Sequence, residues 1–170
     1  GEAPGAIEDE QGKPFVGKAG ELLQKALRRA GVGLFQDCWV TNALRCRPRG
    51  NKLPKDPNKL IEHCRPLVLS AIKEHNPEVI ILLGAVAVQS LIGWLWKEDV
   101  GSMTRWVGWQ IPSMRLNAWI CPIYHPSFVL RESKNREDHI VRTIFQTHVD
   151  AACGLVGRRP YDPEPPELER

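Results

Sequence analysis

Residues 78–84 read EVIILLG, an apolar run of five closed by glycine. The run is too short for a helix and shows no polar alternation, so it predicts a parallel strand buried on both faces. Parallel strands need long crossovers, usually helical, and helices then cover both faces of the sheet. The next residues, AVAVQSLIGWLW, supply one such helix. The chain therefore has to be α/β, and its other segments fit. Residues 17–31 predict a helix, with Ala19, Leu22, Leu23, Ala26, Leu27 and Ala30 at helical spacing and Gly31 as its stop. CWVTNAL (38–44) and NAWICPIY (117–124) predict strands. Residues 57–75 predict a helix that Pro66 kinks or restarts. Residues 97–118 are irregular, with room for a hairpin. SKNREDHIVRTIFQTHVDAACG predicts a last helix, capped by Ser133 and striped by Ile140, Ile144, Phe145 and Val149. Trp119 belongs to a strand and hence to the core.

At 170 residues the chain makes one domain, predicted here over 1–156. The Pro- and Glu-rich stretch 157–170 is expected to be a disordered tail. No apolar run approaches the roughly 18 residues of a membrane helix, and GEAPGAIEDE is not a secretion signal, so a cytoplasmic address is expected. Gly rather than Met at position 1 predicts a processed chain or a piece of a longer one.

The net charge of +3 divides into −1 for the last fourteen residues and +4 for the rest. Five basic residues cluster in RCRPRGNKLPKDP (45–57), too rich in Pro and Gly for helix or strand. Arg45, Arg47, Arg49 and Lys52 suit a loop that contacts phosphates. Five cysteines and no secretion signal argue against disulfides. Cys38, Cys121 and Cys153 read as core thiols. Cys46 and Cys64 stand beside arginines, but two cysteines are a weak metal signal when a closed site needs four ligands.

Sites in such sheets lie beyond the carboxyl ends of the strands. Asn42 ends CWVTNAL; its carboxamide can donate to a carbonyl and accept from an imide N–H, the pattern of uracil and the reverse of cytosine. His125 follows NAWICPIY, where a neutral imidazole can donate to an oxygen gaining charge. Ser127 can bind phosphate, and Phe128, Val129 and Leu130 beside Arg131 form an apolar tip suited to wedging into a base stack. GEAPG should follow a strand lying immediately before Gly1.

The motifs GEAPG, PFVG, VTN, RCRPRGN, CRPL, PEVIILLG and YHPSFVLR, in this order over residues 1 to 150, resemble the iron–sulfur uracil-DNA glycosylases and related phage-polymerase-associated domains. The resemblance implies a three-layer α/β/α sandwich around a mainly parallel four-stranded sheet. It implies monomeric excision of uracil from single- or double-stranded DNA by a monofunctional hydrolase. It places Glu2, Ala3 and Glu8 on the sugar and water, Phe15 under the base, Asn42 at its edge and His125 opposite O2. It makes Cys46 and Cys64 two of four ligands of a [4Fe–4S] cluster; in that family the other two precede GEAPG. Two rivals stand beside it: a non-catalytic nucleic-acid-binding accessory domain, and a phosphate cradle at GEAPG, weakened by the absence of a Lys-Ser/Thr pair after the glycines.

Overall fold

The computed structural model describes residues 1–96, 99–133 and 138–161. Nine elements follow in order among them: α1 (Ala6–Gln11), α2 (Lys18–Arg29), α3 (Asn58–His75), β1 (Val79–Leu83), α4 (Ala85–Trp96), β2 (Ile111–Ser113), β3 (Ala118–Ile123), α5 (Pro126–Glu132) and α6 (Asp138–Cys153). The sheet order is β1-β3-β2. β1 and β3 run parallel, Val79 opposite Trp119 and Leu83 opposite Ile123. β2 returns antiparallel on β3, so the irregular stretch does hold a hairpin.

Two apolar clusters lie on the two faces of this sheet. One joins Leu23, Ala26 and Leu27 of α2 to Leu83, Ile123, Val129 of α5 and Phe145 and Val149 of α6. The other joins Ala87, Val88, Leu91 and Ile92 of α4 to Leu82 and Ile120. This is the layered α/β arrangement that the apolar run at 79–83 demands. α3 passes straight through Pro66, which is exposed, so the N–H it lacks is lost on the solvent side. Arg65 ties α3 to α4 through a 2.9 Å bond to the Ser90 carbonyl.

Several expectations change. The described residues form three strands, not four, and the sheet is mixed. CWVTNAL is not a strand: among the described residues its backbone pairs with Gly1 and Glu2, through Gly1 N–H to Thr41 O (2.7 Å), Ala43 N–H to Gly1 O (2.9 Å) and Leu44 N–H to Glu2 O (2.9 Å). One residue bonding to two spaced by two is a parallel pattern, but it is too short to build a strand. Between this segment and β1 lies a cavity of about 400 Å³, lined by Cys38, Val40 and Thr41 on one side and Val79–Leu83 on the other. Val79, Ile80 and Ile81 are therefore half-buried rather than covered on both faces. In α6, Ile140 is 64% exposed and Ile144 36%; Val141, Phe145, Val149 and Ala152 face the core instead. Ser133 ends α5 and is buried; the start of the expected last helix, 134–137, lies outside the described residues. Trp119 is half-exposed, its indole N–H bonded to the Arg158 carbonyl at 2.6 Å. Residues 157–161 are held in place: Gly157 N–H reaches Glu78, and Arg159 bonds the Asn117 and Asn76 carbonyls. The remainder of the expected tail, 162–170, lies outside the described residues.

Candidate active site

The opening segment carries a helix that its glycines disguise. Gly5 precedes α1 and Gly12 ends it in the left-handed region. Glu8 on this helix points back to the start of α2, its Oε1 accepting from the Gly17 N–H at 3.2 Å. A carboxylate at a helix N-terminus, where amide groups lack partners, is stabilising. Glu8 is thereby tied to the backbone, and Glu2 is the acid left free of such a duty.

Gly1 is where the site residues meet. A side chain on Gly1 would collide with Oδ1 of Asn42 and stand 2.7 Å from Cζ of Phe15. The carboxamide and the aromatic ring thus flank one point. Asn42 also lines a surface pocket of about 230 Å³ with Pro4, Glu8, Asp9, Lys13 and Arg45. Ala3 packs against a small cluster of Ala43, Leu44, Ile61 and Val86, which fixes the backbone beside Glu2.

His125 caps α5 at the carboxyl end of β3. Its Nδ1 accepts from the Ser127 N–H at 3.1 Å. An acceptor at Nδ1 leaves the proton on Nε2, so the neutral ring presents one N–H donor. Burial pushes the imidazole pKa down to about 4, with smaller contributions from the Gly1 amine and Arg131. Desolvation, with the nearby Arg131 charge acting in the same direction, keeps the ring neutral near pH 7. Gly84, at the carboxyl end of β1, has φ +87 and lies so close that a Cβ there would sit 2.9 Å from the Cβ of His125. The sequence signal was available, since the glycine closes one strand and the histidine the neighbouring one.

Glu2 is half-buried. Desolvation raises its pKa, and Arg131 and the Gly1 amine pull it back. Glu2, Arg131, His125 and Gly1 are thus electrostatic neighbours. The apolar tip is changed: residues 126–132 form a helix, Val129 is buried in the core, and Phe128 leans on Tyr124 with ring centres 4.8 Å apart. Leu130 is half-buried and Arg131 exposed. In the basic loop Arg45 bonds Thr41 Oγ1 (3.2 Å), Arg47 bonds Asn51 and lies 3.8 Å from Asp9, and Arg49 and Lys52 are exposed. Lys13 stands over the Phe35 ring at 4.1 Å.

Residues 1–147 match the sequence model of the uracil DNA glycosylase superfamily. The chain belongs to that superfamily. It is 38% identical over 134 residues to a type-4 uracil-DNA glycosylase of Pyrobaculum aerophilum, covering 78% of this chain and 66% of that protein. It is 34% identical to the type-4 uracil-DNA glycosylase of Thermotoga maritima over 145 residues (83% and 69%) and to that of Archaeoglobus fulgidus over 142 residues (82% and 69%). The glycosylase-superfamily chain thus spans 66% to 69% of the length of these relatives.

The cluster implied by this glycosylase resemblance can be tested against the thiols. Cys46 is exposed and Cys64 half-buried, both free. Among the described residues no three Cys, His, Asp or Glu side chains gather as a metal site. Two thiolates do not close a set of four, so the described residues of this superfamily member do not by themselves fit the cluster. No helix among them is long and apolar enough to cross a membrane.

Proposed function

We propose that this chain, acting as a monomer on single- or double-stranded DNA, flips uracil out and hydrolyses its N-glycosidic bond to leave an abasic site. The observation that carries the reading is the meeting of the Phe15 ring and the Asn42 carboxamide at Gly1. Family membership and the names of the relatives support it.

A base inside a duplex is out of reach, and extruding it costs a few kcal/mol. Arg45, Arg49, Lys52 and Arg131 are exposed cations that offset this by binding phosphates. Ser127 at the start of α5 adds a phosphate contact, and the half-buried Phe128 and Leu130 fill the space the base leaves. The extruded uracil stacks on Phe15 and pairs with Asn42 through O4 and N3–H. The C1′–N1 bond then breaks and its electron pair leaves with uracil, spread over O2 and O4. The sugar is left as an oxocarbenium ion. His125 donates its Nε2–H to O2, a contact that strengthens as negative charge grows there. Glu2 stabilises the cation and orients the water that adds to C1′ and loses a proton. Glu8 supports α2. Neither GEAPG nor YHPSFVLR carries a lysine to form a Schiff base, and Lys13 stands over the Phe35 ring, so the reading is a monofunctional hydrolase. In this reading Cys46 and Cys64 would supply two of the four thiolates of a [4Fe–4S] cluster in a full-length protein that holds the other two; iron and inorganic sulfide in that full-length protein, lost in the Cys46→Ser, Cys64→Ser double variant, are its signature.

The test is a uracil-containing oligonucleotide, single-stranded and paired, assayed for alkali-labile abasic sites. The wild-type chain yields them; His125→Ala and Asn42→Ala each reduce the rate about 10²–10³-fold, the range for losing one preorganised donor. Binding of the oligonucleotide with no abasic product leaves an accessory binding domain instead. Full activity in both variants overturns the assignment of the site.

A further inference from the structure

Among the described residues Phe15 is one of four non-glycine residues at positive φ, at +57, and the other three are all Asn, which tolerates that region. An aromatic residue held there is an outlier that its surroundings must enforce. Two residues of α2 do so. Gly20 faces the Phe15 backbone so closely that a Cβ there would overlap its carbonyl group and lie 2.6 Å from its Cα. One turn on, the Gln24 Nε2 donates to the Phe15 carbonyl at 3.1 Å. Gly20 and Gln24 share one face of the helix, four residues apart. One removes a side chain so the strained turn can seat itself, and the other fastens it. The ring is consequently buried at 7% exposure, between the Leu23 and Ala26 cluster and Gly1 beside Asn42.

We infer that Gly20 and Gln24 are positioning residues for base binding: they hold Phe15 in its left-handed turn so that its ring stands beside Gly1 and Asn42 as a fixed plate for an extruded pyrimidine. This rests on the reading of Phe15 as the stacking residue. Relaxation of the turn to negative φ swings the ring off that point, while the basic loop and α5, which meet the backbone of the DNA, stay where they are. Loss of either contact therefore weakens recognition of the base and spares recognition of the phosphates.

The experiment separates these two terms. Free uracil is measured as a competitive inhibitor of excision, and an oligonucleotide with a preformed abasic site is measured by direct binding. Gln24→Met keeps the length of the side chain and removes the donor. It is expected to weaken uracil inhibition at least tenfold and to change abasic-site binding less than twofold. Gln24→Lys, which restores a donor of similar reach, recovers most of the loss. In a Phe15→Ala background, Gln24→Met has no further effect on uracil inhibition. Gly20→Ala behaves as Gln24→Met where it folds, as judged by circular dichroism; where it does not, the Gln24 series decides. Unchanged uracil inhibition in Gln24→Met, or equal weakening of uracil and abasic-site binding, overturns the inference. A wild-type chain that never excises uracil overturns the functional reading beneath it instead, so the two failures are distinguishable.

Discussion

Burial keeps His125 neutral, and that has a measurable consequence at the scale of one residue. Its pKa lies near 4 in the folded chain against about 6.5 when unfolded. Between these values the unfolded chain binds a proton that the folded chain does not, so stability falls as pH drops from 6.5 to 4, by on the order of 3 kcal/mol for this group. Histidine NMR should show the His125 ring uncharged, with its proton on Nε2, down to about pH 4. The difference in stability between wild type and His125→Gln should shrink along the same window. A ring titrating near 6.5 sinks the assignment. Glu2 carries a second prediction. Arg131 holds its pKa down against desolvation, so removing that charge in Arg131→Met leaves Glu2 protonated to higher pH. The acid limb of the kcat–pH profile then moves upward, while Arg131→Lys keeps it near the wild-type position. An unmoved limb in Arg131→Met shows that Glu2 does not set it.

At the scale of elements, α1 assigns different duties to two acids that look alike in the sequence. Glu8 accepts from the Gly17 N–H at the start of α2. Glu8→Ala should cost about 1 kcal/mol of stability in a denaturant titration, as for loss of a helix cap. Glu2→Gln should instead lower kcat far more than stability. Equal kcat losses in the two variants mean both acids serve the sugar. The sequence concealed this because Gly5 and Gly12, with six residues between them, read as loop punctuation, whereas here they bracket a helix. Long periodic elements were legible: α2, α3, α4, β1 and β3 lie where apolar spacing puts them. Ile140 and Ile144 failed as core residues because a helix of this length carries two adjacent apolar stripes, and which one packs depends on the sheet it meets. Asn42, Phe15 and His125 were legible through motif order, and Gly84 carried a signal in closing the strand beside the one His125 closes; Gly20 was not legible, because a missing side chain signals only what it allows to approach, nor was Gln24, because nothing in the helical pattern marks its contact with the Phe15 carbonyl.

For the whole molecule the governing feature is the cavity of about 400 Å³ between β1 and the 38–42 segment. It is an open groove along β1, where Val79, Ile80 and Ile81 are only half-buried and lining atoms lack packed neighbours on one side. Gly1 and Phe15 of the site line it, so its packing bears on how firmly that part of the site is held. Ala71 of α3 is buried and lines it. Ala71→Leu adds three carbons at about 0.8 kcal/mol each when fully buried, of which about 1 kcal/mol should survive imperfect fit, raising Tm by about 2–4 °C. Thiol labelling reads the same space. Cys38 and Cys153 line the cavity and are half-buried, Cys46 is exposed, and Cys121 is buried with its pKa pushed up to about 12. A maleimide should therefore react with Cys46 first and Cys121 last. In Ala71→Leu the Cys38 and Cys153 rates should fall while that of Cys46 holds. A lower Tm with faster labelling of Cys38 and Cys153 would mean that the leucine pries α3 away from β1, and that the space is already as full as its walls permit.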